Sequence, residues 1–184
     1  MRASHMLSNV ESLDTLGPPD AEAIRERCRE AIAEIESAVR TAWLPLWLDV
    51  ELTRGVEHVC GRERMLRWSR DAIARSADGP LLRPFMQGLR ALGLNPHASL
   101  RLAPRAWDAV YRHCGALTYE RVSEREAALV QRDAPALIVD VQTYQYGIAG
   151  GFEGAMELAG GEGCEVIPHA DVARGEVRYV GTWS

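Results

Sequence analysis

Histidine and cysteine are the residues of this chain best suited to chemistry, and their spacing works against it. His58 and Cys60, His113 and Cys114, and Cys164 with His169 are the neighbours that a metal ion could share. Metal sites on helices use pairs three or four residues apart, and those on short loops use Cys-x-x-Cys. His58 and Cys60 are two apart on a predicted helix and diverge by about 200°. His113 and Cys114 diverge by about 100°. Cys164 and His169 fall on opposite faces of a regular strand. The expectation is buried thiols, surface or capping histidines and no metal site. Were a haem present, His97 or His113 would be its candidate axial ligand. Cys114 beside His113 is the candidate nucleophile, but it falls at a predicted helix C-terminus, where the dipole disfavours a thiolate. Gly-x-Ser-x-Gly and the phosphate-binding P-loop are both missing. No catalytic residue and no cofactor are expected, and the chain is read as a non-enzyme.

Gly147-Ile-Ala-Gly-Gly-Phe-Glu-Gly154 superficially offers a dinucleotide fingerprint. That fingerprint must follow a strand and open a helix, whereas this run sits inside a helical pattern. Each glycine in a helix interior costs about 1 kcal/mol relative to alanine. Gly147, Gly151 and Gly154 share one face with Gly150 beside them. The run therefore reads as a close-packing helix, pressed on a sheet or on a second subunit.

Several helices must position these residues. The start, Met1-Arg-Ala-Ser-His-Met6, resembles a vector remnant, and residues 1–19 read as a flexible lead-in ending in Gly17-Pro18-Pro19. A single domain then spans 20–184. Ile24, Cys28, Ile32, Ile35 and Val39 recur at helical spacing, which predicts one long amphipathic helix over 20–42. Further helices are predicted around Leu48–Val59 and over 62–76. Asp78-Gly79-Pro80 makes a break, followed by an apolar stripe from Leu81 and Leu82 through Phe85, Met86 and Leu89 to Leu92. Asn95-Pro96 then supplies an N-cap with proline at the first helical position. Pro104 marks a second start or a kink, and Trp107, Val110, Tyr111 and Cys114 turn inward. Arg62, Arg64, Arg67 and Arg70 read as a solvated face, with an anionic partner as the alternative. Trp43 and Trp47 read as core or interface anchors.

The pattern changes after Gly115. Residues 117–122 and 127–131 read as two short strands, the glycine helix follows over 137–159, and 163–169 and 176–183 read as two more strands. Ala173-Arg-Gly175 supplies the second hairpin turn. Helices, hairpin, helix, hairpin predict an α+β fold: a helical layer on a four-stranded antiparallel sheet.

These landmarks carry a resemblance: Leu102–Gly115 with Trp107 and Tyr111, the strand pair, the Gly147–Gly154 helix and the closing hairpin with Trp183. The chain resembles the superfamily of four-vinyl-reductase-type domains, haem–nitric-oxide-binding (H-NOX) domains and TRAPP tethering subunits. More narrowly it is similar to an uncharacterised myxobacterial paralogous family. The resemblance covers about residues 40–184. It implies a hydrophobic small-molecule pocket or acyl channel and frequent dimerisation. It does not imply an enzyme. The haem branch also carries a Tyr-x-Ser-x-Arg motif. The local sequence compared with it, Tyr144-Gln-Tyr146-Gly-Ile148, lacks both Ser and Arg, which counts against haem.

Composition bounds the rest. The 184 residues carry a net charge of −5, which excludes a global basic footprint for nucleic acid. All 21 basic residues are arginine. No apolar run approaches the ~18 residues of a membrane span, and the dispersed cysteines suit a reducing, cytoplasmic setting. The combined expectation is a non-catalytic ligand-binding or sensory homodimer. Phe85, Met86, Leu89, Trp107, Val110, Tyr111, Tyr144, Ile148 and Phe152 are the candidates to line its pocket. A TRAPP-like scaffold without ligand is the alternative, and a haem-based gas sensor comes third.

Overall fold

The computed structural model describes residues 1–76, 83–91 and 93–184. The expected break at Asp78-Gly79-Pro80, and Leu81, Leu82 and Leu92 of the apolar stripe, lie outside the described residues. The helices in chain order are α1 (Ala3–Glu11), α2 (Pro18–Arg27), α3 (Arg29–Ser37), α4 (Leu46–Cys60), α5 (Arg62–Ser76), α6 (Arg83–Ala91) and α7 (Pro96–Val110). Strands β1 (Ala116–Arg121) and β2 (Glu126–Arg132) follow. The short α8 (Ala136–Val139), α9 (Gln142–Leu158), β3 (Glu165–Asp171) and β4 (Glu176–Thr182) complete the chain.

Two expectations are corrected in the first third. The lead-in is not a flexible segment: α1 is a helix, and Met1, Ala3, Met6, Val10 and Leu13 are buried. Met6 and Leu13 lie in one core with Ile24, Ile35, Leu48, Leu52, Met65 and Trp68. Burying that apolar surface offsets the entropy of ordering the segment. The long helix over 20–42 is two helices, because Cys28 departs from helical geometry (φ −102°, ψ 22°). Its thiol lies against α4, where a Cβ on Gly55 would come within 2.3 Å of Sγ.

α7 starts as its sequence signals: the Asn95 side chain accepts the Ala98 N–H at 2.8 Å, with Pro96 at the first turn. It runs through Pro104 as one helix. The sheet is fully antiparallel in the order β1-β2-β4-β3. The two hairpins therefore join through β2 and β4, with Leu129 opposite both Tyr119 and Tyr179. Trp107 of α7 and Ile148 and Met156 of α9 share a core with Leu117, Leu129, Val166 and Tyr179 from the sheet.

Within the chain, the glycine face of α9 packs on α5 and α4 and not on the sheet that the sequence reading offered. A Cβ on Gly150 would approach the Leu66 carbonyl oxygen to 2.9 Å, and one on Gly154 the Arg70 carbonyl oxygen to 2.4 Å. At Gly147 the nearest atom is Thr53 Cγ2 of α4, 3.0 Å away. Gly151 differs, with only ordinary contact to Ile73 at 3.8 Å.

Electrostatics reinforces the same joint. Arg70 of α5 donates to Glu153 at 2.8 Å and to Glu157 at 3.0 Å, both on α9. Glu153 also accepts the Val166 N–H of β3 at 3.0 Å. Arg62, Arg64 and Arg67 pair with Glu57, Asp20 and Glu63. The arginine-rich face of α5 is thus largely self-neutralised, which leaves little net charge for an anionic partner.

A cavity between the N-terminal helices and the sheet-packed helices

α4, α5, α7 and α9 do not close completely on one another. They leave a cavity of about 120 Å³ between the two cores. Phe85, Trp107, Val110, Tyr111, Tyr144, Ile148 and Phe152 line it, together with Gly147 and Gly151. Met86 and Leu89 do not; they pack in a separate small cluster with Ala98 and Ala159. Gly150 and Gly154 serve the α5 joint instead. Trp107 and Tyr111 stack on one another, with ring centroids 3.9 Å apart and planes 17° from parallel. Phe152 meets Tyr179 edge to face at 5.2 Å.

One wall of this apolar space is polar, which the sequence reading missed. Asp49 of α4 is 4% exposed. Its Oδ1 accepts from Asn9 Nδ2 at 3.0 Å and its Oδ2 from the Tyr144 hydroxyl at 2.8 Å. The Tyr111 oxygen lies 3.5 Å from that of Tyr144. Burial, followed by the nearby Asp49, pushes both phenols well above their ordinary range, so neither is a phenolate at neutral pH. His5 also lines the cavity, and burial holds its imidazole below the usual range despite Asp49. Two buried polar atoms here have no partner: Asn9 Oδ1, an acceptor, and Trp107 Nε1, a donor. A usable signal was present in Leu46-Trp-Leu-Asp-Val50, where one aspartate interrupts an apolar turn. Thr53, one turn on, is also buried and lines the cavity.

The other chemical candidates lie elsewhere. His97 uses both ring nitrogens, one with the Glu124 carbonyl at 2.9 Å and one with the Tyr119 hydroxyl at 2.8 Å, and Trp183 packs on its ring. His58, His113 and His169 are exposed. Burial raises all four thiols, Cys28 and Cys164 to about 11. Among the described residues no three His, Cys, Asp or Glu side chains group as a metal site. No described helix is long and apolar enough to cross a membrane. Trp43 is sandwiched between the guanidinium groups of Arg2 and Arg112, and Trp47 is 42% exposed.

No family model matches this chain, and no curated protein is similar to it in sequence. Solved structures are similar to it along its whole length. An Fe(II) unliganded H-NOX protein from K. algicida shares 11% identity at a TM-score of 0.66, covering 100% of this chain and 97% of that one. An oxygen-binding H-NOX domain related to soluble guanylate cyclases shares 12% at 0.65, covering 100% and 95%. An H-NOX protein studied for haem distortion shares 10% at 0.62, again covering 100% and 95%.

The chain has the H-NOX fold. At these identities the likeness is one of architecture, so the fit to a haem must be tested on the residues present. Haem iron is held by histidine, cysteine, methionine or tyrosine. The H-NOX fold here turns Ala103, Ala106, Trp107 and Val110 of α7 toward the cavity, none of which is a ligand. Neither His97 nor His113 faces the space, and both tyrosines are held as phenols. His5 is the one imidazole on the wall among the described residues. A cavity of about 150 Å³ takes up benzene, and this smaller one does not fit a porphyrin. The residues present do not fit haem held from α7.

Proposed function

We propose that this chain is a non-catalytic ligand-binding sensory domain, its ligand held in the cavity between α4, α5, α7 and α9. The observation that carries this reading is the lining itself. An otherwise apolar, aromatic cavity holds a buried carboxylate and two buried polar atoms without partners. Native proteins rarely leave such groups unpaired, and convergent polar atoms in an apolar pocket are the usual mark of a small-molecule site. The chemistry argues against catalysis: the thiols are raised and the phenols stay protonated. Intact mass under native conditions, with an absorbance scan of protein purified without denaturation, tests the reading. A co-purifying small molecule, or uptake of one from an apolar fragment set, is the expected result. An empty protein that takes up no fragment overturns it.

Haem-based sensing is the second reading, favoured by the H-NOX fold and by His5 on the cavity wall. It requires the cavity to open well beyond its present volume. A Soret band that disappears in His5→Ala would establish it. Homodimerisation, a cytoplasmic location and kinship with the four-vinyl-reductase, TRAPP and myxobacterial branches stay within this proposal on the strength of the sequence landmarks. Light scattering at micromolar concentration tests the dimer.

A further inference from the structure

The polar wall specifies what kind of molecule the cavity takes. Asp49 is buried, and both its oxygens only accept hydrogen bonds. Among the described residues no cationic group lies within 4.0 Å of it. The Met1 α-amino group and the His5 imidazole feel its charge but make no ion pair with it, and burial lowers the pKa of both. The α-amino group of Met1 donates to the Leu44 carbonyl, and burial disfavours the charged form of His5. A buried carboxylate with no ion pair in direct contact is costly. Beside it Asn9 Oδ1 is a second acceptor, buried and unused. The rest of the wall is aromatic, with Trp107, Tyr111 and Phe152 presenting rings to the same space.

We infer that the cavity binds a small primary amine in its protonated form, the ammonium group on Asp49 and Asn9 and an apolar or aromatic body among Trp107, Tyr111 and Phe152. An ammonium carries three donors and no acceptor, which suits the unpartnered Asn9 Oδ1 and the lone pairs that Asp49 keeps beyond its bonds from Asn9 and Tyr144. Aromatic faces favour a cation nearby. Trp107 lines this space and its buried N–H has no partner, so an ether or carbonyl oxygen on the ligand body would suit it. The volume limits the body to about the size of one benzene ring.

This inference rests on the ligand-binding reading, and the test separates the two. Benzylamine, toluene and benzoate are titrated by calorimetry into the full chain at neutral pH and moderate salt. Benzylamine is expected to bind at least about tenfold more tightly than either (~1.4 kcal/mol). Asp49→Asn is expected to erase that preference while toluene binding persists. Toluene or benzoate binding as tightly as benzylamine overturns the amine and leaves the pocket. Binding of none of the three overturns both. Should Asp49→Asn fail to fold, the ranking in the unaltered protein decides by itself.

Discussion

The Tyr144 hydroxyl donates to Asp49 Oδ2 at 2.8 Å, joining α9 to α4 across 95 positions of sequence. Both residues are at least 96% buried, and both belong to the wall of the cavity. Tyr144→Phe keeps the ring and deletes the donor. It leaves Asp49 with Asn9 alone, so a loss of about 1–3 kcal/mol is expected. Urea unfolding measures it, and an unchanged midpoint would mean that water replaces the hydroxyl.

His5 gives the fold a pH dependence of known sign. Burial lowers its folded-state pKa below the ordinary 6.5, so the unfolded chain binds the proton more readily. That contribution to stability is present above about pH 6.5 and is lost as pH falls through the folded value. The urea midpoint should drop between about pH 7 and pH 5. His5→Leu should flatten that limb; an identical slope in the variant assigns it to other groups.

Glu153 behaves in the opposite sense. Burial raises its carboxyl, outweighing the Val166 N–H and Arg70, so its contribution to stability is greatest in acid and falls as pH rises through the folded value. Glu153→Gln keeps an acceptor for Val166 and should cost little. Glu153→Ala orphans that N–H and should cost about 1–3 kcal/mol more. Equal melting temperatures for the two variants would contradict this.

Neighbouring glycines on α9 should respond differently. Gly154→Ala drives a Cβ into the Arg70 carbonyl and should destabilise the fold by about 1–3 kcal/mol. Gly151→Ala meets only Ile73 at 3.8 Å and gains helix propensity, so it should be neutral or stabilising by up to about 1 kcal/mol. Gly151→Leu would fill the cavity rather than break a joint, and should abolish ligand uptake. Thermal melts and the calorimetry above read both effects.

The thiols should be slow. Burial raises all four, Cys28 and Cys164 to about 11. Iodoacetamide near neutral pH should label each more slowly than free cysteine, because the thiolate is the reacting form. Rapid labelling of Cys114 would reopen the nucleophile reading.

The sequence by itself determined most of the local elements, α1 and the division of α2 from α3 excepted. Period-two stretches placed all four strands within about two residues, and Gly175 (φ 60°) closes the second hairpin where the turn signal stood. Asn95-Pro96 placed the start of α7. These features come from backbone preference and side-chain period, which act over a few residues. Tertiary structure decided everything that depends on meeting at a distance. β2 pairs β4, and the glycine face of α9 lies on α5 and α4. Met1–Leu13 orders only because a core is there to receive it. Asp49 reads in sequence as one acidic residue in an apolar turn. Its role arises from Asn9, Tyr111 and Tyr144, brought from three other parts of the chain to one cavity wall. No local pattern encodes that convergence, because its energy comes from contacts that form only when the helices have packed.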